Sequence, residues 1–188
     1  MKNIFAIILF VFACLNVAWA DQPSYEVDTT ESLAAPWKVG EVLVTGHLGS
    51  DGEGLQMERK FVGITTDGLY LVQEFYSQSG QKYTDLFVMG ESGLMQEDTF
   101  ERNPMGEIKD WDHVIGSIAI YAQDGSKLFE GSYDFDGNAS GHWIMWRNEQ
   151  ANEKFWEGDF SDNEKVGEWK TWDWEQSGGR LTVSNMGK

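Results

Sequence analysis

From Trp37 to Val183 apolar and polar residues alternate in short runs, cut at roughly eight- to twelve-residue intervals by turn-forming clusters. "SDGEG", "TTDG", "SQSG", "QDGS", "DFDGN" and "QSGG" join Gly to Asp, Asn or Ser, the composition of tight hairpin turns. No stretch sustains a period of 3.6. The pattern predicts an all-β antiparallel meander of about 10–12 short strands. Alternation also assigns faces. In the strand starting at Lys127, Phe129, Gly131, Tyr133 and Phe135 fall on one side, and Glu130, Ser132 and Asp134 on the other. The next strand sets Trp156, Gly158 and Phe160 against Glu157, Asp159 and Ser161.

These two strands are copies. Lys127-Leu-Phe-Glu-Gly131 and Lys154-Phe-Trp-Glu-Gly158 are one K-x-x-E-G element, and Tyr133 corresponds to Phe160. After a one-residue slip, Gly141-x-Trp143-x-x-Trp146 corresponds to Gly167-x-Trp169-x-x-Trp172. A second signature, aromatic-x3-Gly-x-basic, occurs at Tyr76/Gly80/Lys82, Tyr121/Gly125/Lys127 and Trp174/Gly178/Arg180. Such self-similarity marks an array of small units, each needing a neighbour to bury its apolar face.

"EGSYDFDGNASGHWIMW" and "EGDFSDNEKVGEWKTW" resemble the bacterial MORN-repeat-variant family, whose units run as E-G-x-Y/F, a turn, then G-x-W-x-x-W/Y. The resemblance covers residues 116–180 and is fainter over 68–82; the N-G turn usual in the family is missing, and "ERNPMGEIKDWDHV" (101–114) interrupts the array. It implies β-hairpins that contact a protein or lipid. The antitoxin-like role attached by name to many members belongs in the cytoplasm and is not carried over to a chain that carries an export signal. At the level of the whole chain, "APWKVGEV", the meander and a late "WDWEQSGG" hairpin are similar to secreted calycin-like and lipocalin-like barrels. That likeness implies a closed sheet, its first strand near Val42 paired with a late one, around a small apolar ligand.

The tryptophans carry the candidate chemistry. Two indoles three residues apart point to opposite faces of an unbulged strand. Parity places Trp172 and Trp174 with Trp156 and Phe160, and with Phe129, Tyr133 and Trp146 these form the expected core of the repeats. Trp143 and Trp169 then fall on the acidic side, an aromatic ledge rimmed by Glu157, Asp159 and Asp173 that suits a protein or a sugar ring. The alternative is a second small core, with both indoles covered by the N-terminal lead or by the 101–114 insertion.

The amino terminus narrows the compartment. Lys2, an apolar run and Ala18-Trp19-Ala20 form a secretory signal over residues 1–20, followed by an irregular lead (21–36) and one domain (37–188). Cleavage after Ala20 removes Cys14, the only cysteine, so the exported chain relies on packing without disulfides. The competing reading is a lipoprotein anchored at Cys14. No second apolar run is long enough for a transmembrane helix, which places the protein in the periplasm or outside the cell.

A formal charge of −17 at pH 7 works against nucleic acid and anionic membrane surfaces. His47, His113 and His142 lack metal-ligand spacing, and "DFDGN" (134–138) fails as a calcium loop because Met145 stands where the closing Glu belongs. With no nucleophile elbow, phosphate loop or dinucleotide fingerprint, the sequence points to a non-enzymatic protein without cofactor, whose partner is an envelope protein or glycan.

Overall fold

The computed structural model describes residues 35–48, 54–96, 114–147 and 153–187. The expected signal segment, nearly all of the lead and the insertion up to His113 lie outside the described residues. Ten strands follow one another in space as in sequence: β1 (Val42–Leu48), β2 (Leu55–Ile64), β3 (Tyr70–Tyr76), β4 (Phe87–Met89), β5 (Val114–Tyr121), β6 (Lys127–Tyr133), β7 (Ala139–Trp146), β8 (Lys154–Ser161), β9 (Glu164–Asp173) and β10 (Arg180–Asn185). A 3-10 turn (Glu91–Gly93) follows β4, and a single helical turn, α1 (Trp174–Ser177), joins β9 to β10. Among the described residues no helix is long and apolar enough to cross a membrane.

The sheet is an open antiparallel meander. β1 pairs with β2 alone and β10 with β9 alone, so the closed barrel that the calycin-like likeness implied does not form. One face is nonetheless buried along the sheet. Its contiguous core includes Met57, Phe61, Val72, Phe87, Ile118, Phe129, Tyr133, Trp143, Trp156, Phe160 and Trp169. The large side chains of this face pack against one another, with Trp37 and Leu94 adding cover.

The repeat residues explain how. Between the pairs Ser132↔Ser140 and Glu130↔Ile144, four steps along β7 answer two along β6; between Asp159↔Val166 and Glu157↔Lys170, β9 does the same against β8. Gly141 (φ 71) and Gly167 (φ 65) lie in these bulges, in the left-handed region that glycine enters without steric cost. Two residues on, Trp143 and Trp169 each lie over the backbone of the preceding strand. A Cβ added to Gly131 would stand 2.0 Å from the Trp143 ring, and one added to Gly158 would stand 2.3 Å from the Trp169 ring. The E-G and G-x-W elements are thus the two halves of one contact.

The K-x-x-E part makes a second device. In a regular strand residues i and i+3 face opposite ways. Here the ladder passes from Ile120↔Phe129 to Tyr121↔Lys127, and from Met145↔Trp156 to Trp146↔Lys154, leaving Leu128 and Phe155 as the extra residues. Each bulge turns the lysine toward the side of its glutamate. Lys127 Nζ lies 2.6 Å from Glu130 Oε2, and Lys154 pairs in the same way with Glu157. Phe135, expected on the apolar face, is instead exposed in the Asp134–Asn138 turn, where the Asp134 carboxylate accepts from the backbone N–H groups of Asp136 and Asn138.

A buried ion pair closes the other end of the core. Arg59 and Glu74 face each other across β2 and β3, fully buried, with Arg59 Nη2 2.8 Å from Glu74 Oε1. Arg59 Nη1 also donates to the carbonyls of Gly93 (2.7 Å) and Leu94 (2.9 Å), which draws the segment after β4 over the sheet and seats Leu94 in the core. Trp37 covers Phe61 and Tyr70 with ring centroids 6.0 and 5.9 Å apart.

Gly131→Ala and Gly158→Ala are expected to destabilise the protein by about 3 kcal/mol each, because the indole must move off the backbone. Gly90→Ala, where a Cβ meets nothing within 4 Å, should stay within about 0.5 kcal/mol of the parent. Urea unfolding followed by tryptophan fluorescence checks all three.

Candidate binding cleft

The structure redistributes the predicted site. Trp143 and Trp169 are 1% and 2% exposed, so the ledge proposed for them does not exist as a surface. Register is the reason. The Asp162-Asn163 turn pairs Phe160 with Lys165, and β7 sets Gly141 opposite Phe160 and Trp143 opposite Gly158. Residues opposite each other share a face, and Trp169 shares the parity of Lys165, so both indoles join Phe160 in the buried layer. Ring centroids lie 5.0 Å apart for Phe160 and Trp169 and 5.2 Å for Trp156 and Trp169. Trp169 Nε1 donates to the carbonyls of Asp159 and Val166.

Phe129, Tyr133, Trp156 and Phe160 are in the buried layer. Trp146, Trp172 and Trp174, expected beside them, are not. All three are half-buried and line an open cleft of about 680 Å³ where β6 to β9 meet α1. Leu128, Met145 and Phe155 form its apolar floor, and Arg147, Thr171, Asp173 and Glu175 supply polar groups. Leu128 and Phe155 are the extra residues of the K-x-x-E bulges, so the same distortion that pairs the lysines also supplies the floor.

Each indole of the cleft is braced. Trp174 Nε1 donates to the Lys154 carbonyl at 2.7 Å, the Arg147 guanidinium lies 5.6 Å from its ring centre, and a Cβ on Gly179 would come within 2.6 Å of it. Lys127 Nζ stands 5.5 Å from the Trp146 ring centre, and Arg147 is itself held by Glu153 at 3.0 Å. Trp172 faces Leu181 of β10 across the ladder. Cations over the Trp146 and Trp174 ring faces help to hold these rings in place.

The acidic residues expected around the ledge are spread over the molecule. Asp173 belongs to the cleft. Asp159 is exposed, with its carboxylate 2.8 Å from His142 Nδ1. Glu157 is clamped between Lys154 and Lys170, with Lys170 Nζ at 3.1 Å. Burial of Glu157 opposes its ionisation, but hydrogen bonds from Lys154 and Lys170 outweigh that and hold the carboxyl below the usual carboxylate range. The hydrogen bond to Glu157 in turn raises Lys170. Among the described residues no three His, Cys, Asp or Glu side chains form a group able to hold a metal ion.

Strand parity alone does not reveal the cleft, because the register across the turn exchanges odd and even positions between β8 and β9. The two-residue Asp162-Asn163 turn, both residues at positive φ (52 and 66), was the available signal. Compared with known proteins, the chain matches no family model, no curated protein and no solved structure.

Glu157→Gln is expected to cost about 1 kcal/mol at neutral pH. Because the folded carboxyl is depressed, its contribution is present above the unfolded carboxylate range and is lost as pH falls through the folded value. The raised Lys170 contributes below its unfolded value and loses that contribution as pH rises through its folded one. Parent and variant stabilities should therefore converge in acid and again in strong alkali, as pH-dependent urea midpoints will show.

Proposed function

We propose that the protein is an exported, non-enzymatic interaction module of the cell envelope, stacked from MORN-like hairpins, that holds a glycan in the tryptophan cleft. The observation that carries this reading is the placement of Trp146, Trp172 and Trp174 half-exposed around one open cleft, while Trp143, Trp156 and Trp169 are spent on the core. Indole faces and edges beside Arg, Asp, Glu and Thr supply the apolar contacts and hydrogen bonds that a sugar ring needs. A cleft of about 680 Å³ has the dimensions of a small-ligand site. The formal charge of −17 favours a neutral or amine-bearing sugar over an acidic one.

Export supports the same reading, since envelope glycans lie where the amino-terminal signal directs the chain. Titration with neutral N-acetylglucosamine oligomers, read by calorimetry and tryptophan fluorescence, tests it. Saturable binding is expected, weakened about tenfold or more by Trp146→Ala or Trp172→Ala. Undiminished binding by the double variant, or no binding by the parent, contradicts the proposal.

A further inference from the structure

β10 is an edge strand with little of the usual protection, its one charge being Arg180 at the first position. Exposed edges are ordinarily blunted by a bulge, a proline, a charge on the strand or a covering element. β10 reads Arg-Leu-Thr-Val-Ser-Asn, every residue is exposed, and its six pairs with β9 run from Arg180↔Asp173 to Asn185↔Glu168 without a register shift. β1, the opposite edge, is bulged between Val42 and Val44.

The register fixes which groups of β10 look outward. Met186 N–H donates to the Gly167 carbonyl at 2.9 Å, in phase with the ladder, so Arg180, Thr182 and Ser184 are the residues that bond to β9. Leu181, Val183 and Asn185 therefore direct their N–H and C=O groups away from the sheet. Leu181 and Val183 also share a face beside Trp172 and Lys170, and stay 46% and 53% exposed.

We infer that β10 is a strand-addition edge through which two copies of this chain pair antiparallel about a dyad. Charge selects the occupant. The chain carries −17, so two copies repel over most of their surfaces, yet residues 178–188 contain no Asp or Glu. A symmetric pairing brings this acid-free edge against itself and sets no carboxylate of the two strands opposite another. Centred on Thr182, it places Leu181 of each copy opposite the partner's Val183 and gathers four aliphatic side chains on the face that carries Trp172. The outward N–H and C=O groups of Leu181 and Val183 gain partners in the same register.

Sedimentation of the purified protein over a range of concentrations tests this. The parent should show a monomer–dimer equilibrium that stops at twice the chain mass. Val183→Pro removes an outward N–H and no bond to β9, so it should give a monomer with an unfolding midpoint close to the parent's, and Leu181→Lys should also abolish the dimer by charging the edge. A parent that stays monomeric throughout overturns the inference, as does a dimer that survives both variants. Assemblies that grow beyond two copies also overturn it, since they require head-to-tail pairing of β10 with another edge.

Discussion

A tryptophan ring lying on a glycine of the preceding strand is the contact on which the rest of this sheet depends. Among the described residues no second sheet packs on the apolar face of this meander, so its own side chains, with Trp37 and Leu94, cover it. Indole is the largest side chain available, and it lies flat on the strand only where no Cβ intervenes. Gly131 under Trp143 and Gly158 under Trp169 provide that space. Burying each indole is worth at most about 5 kcal/mol by area, enough to outweigh the cost of leaving the Nε1 groups of Trp143 and Trp156 without hydrogen-bond partners among the described residues.

The bulges that bring these rings into place also create the opposite surface. Register sets one tryptophan of each G-x-W-x-x-W element inward, beside the bulges at Gly141 and Gly167, and the second, three residues on, is left on the other side. The K-x-x-E bulges then set Leu128 and Phe155 in the cleft with Trp146 and Trp172, while Lys127 lies over the Trp146 ring and both lysines pair with neighbouring glutamates. Core and cleft are consequences of the same irregularities. Changing one changes the other, which couples the shape of the proposed binding surface to the packing of the sheet.

Much of this could be read from the residues. The turn clusters and alternating runs lead to an antiparallel meander, and the ten strands in sequence order are that meander. Phe129, Tyr133, Trp156 and Phe160 follow simple alternation into the core because the extra residues of their strands, Leu128 and Phe155, precede them. Trp143, Trp146, Trp169 and Trp172 do not, because their faces depend on the register that pairs β7 and β9 with β8. The Asp162-Asn163 turn exchanges odd and even positions between β8 and β9, and that register is set by the turn's backbone and not by hydrophobicity. The recurring glycines two residues before Trp143 and Trp169 mark the bulges beside those rings. Arg59 and Glu74 left no trace in the pattern, since a charged residue at an apolar-phase position reads as a break in alternation until its partner across the strand is known.

A double-mutant cycle on Gly158→Ala and Trp169→Leu tests the ring-on-glycine contact most directly, because it separates the collision from the general effect of either change. If the contact governs the packing, the alanine that is damaging beneath Trp169 becomes nearly harmless beneath leucine, giving a coupling energy of about 2 kcal/mol. Additive losses, with Gly158→Ala equally damaging in both backgrounds, would show that the glycine serves the backbone and not the ring.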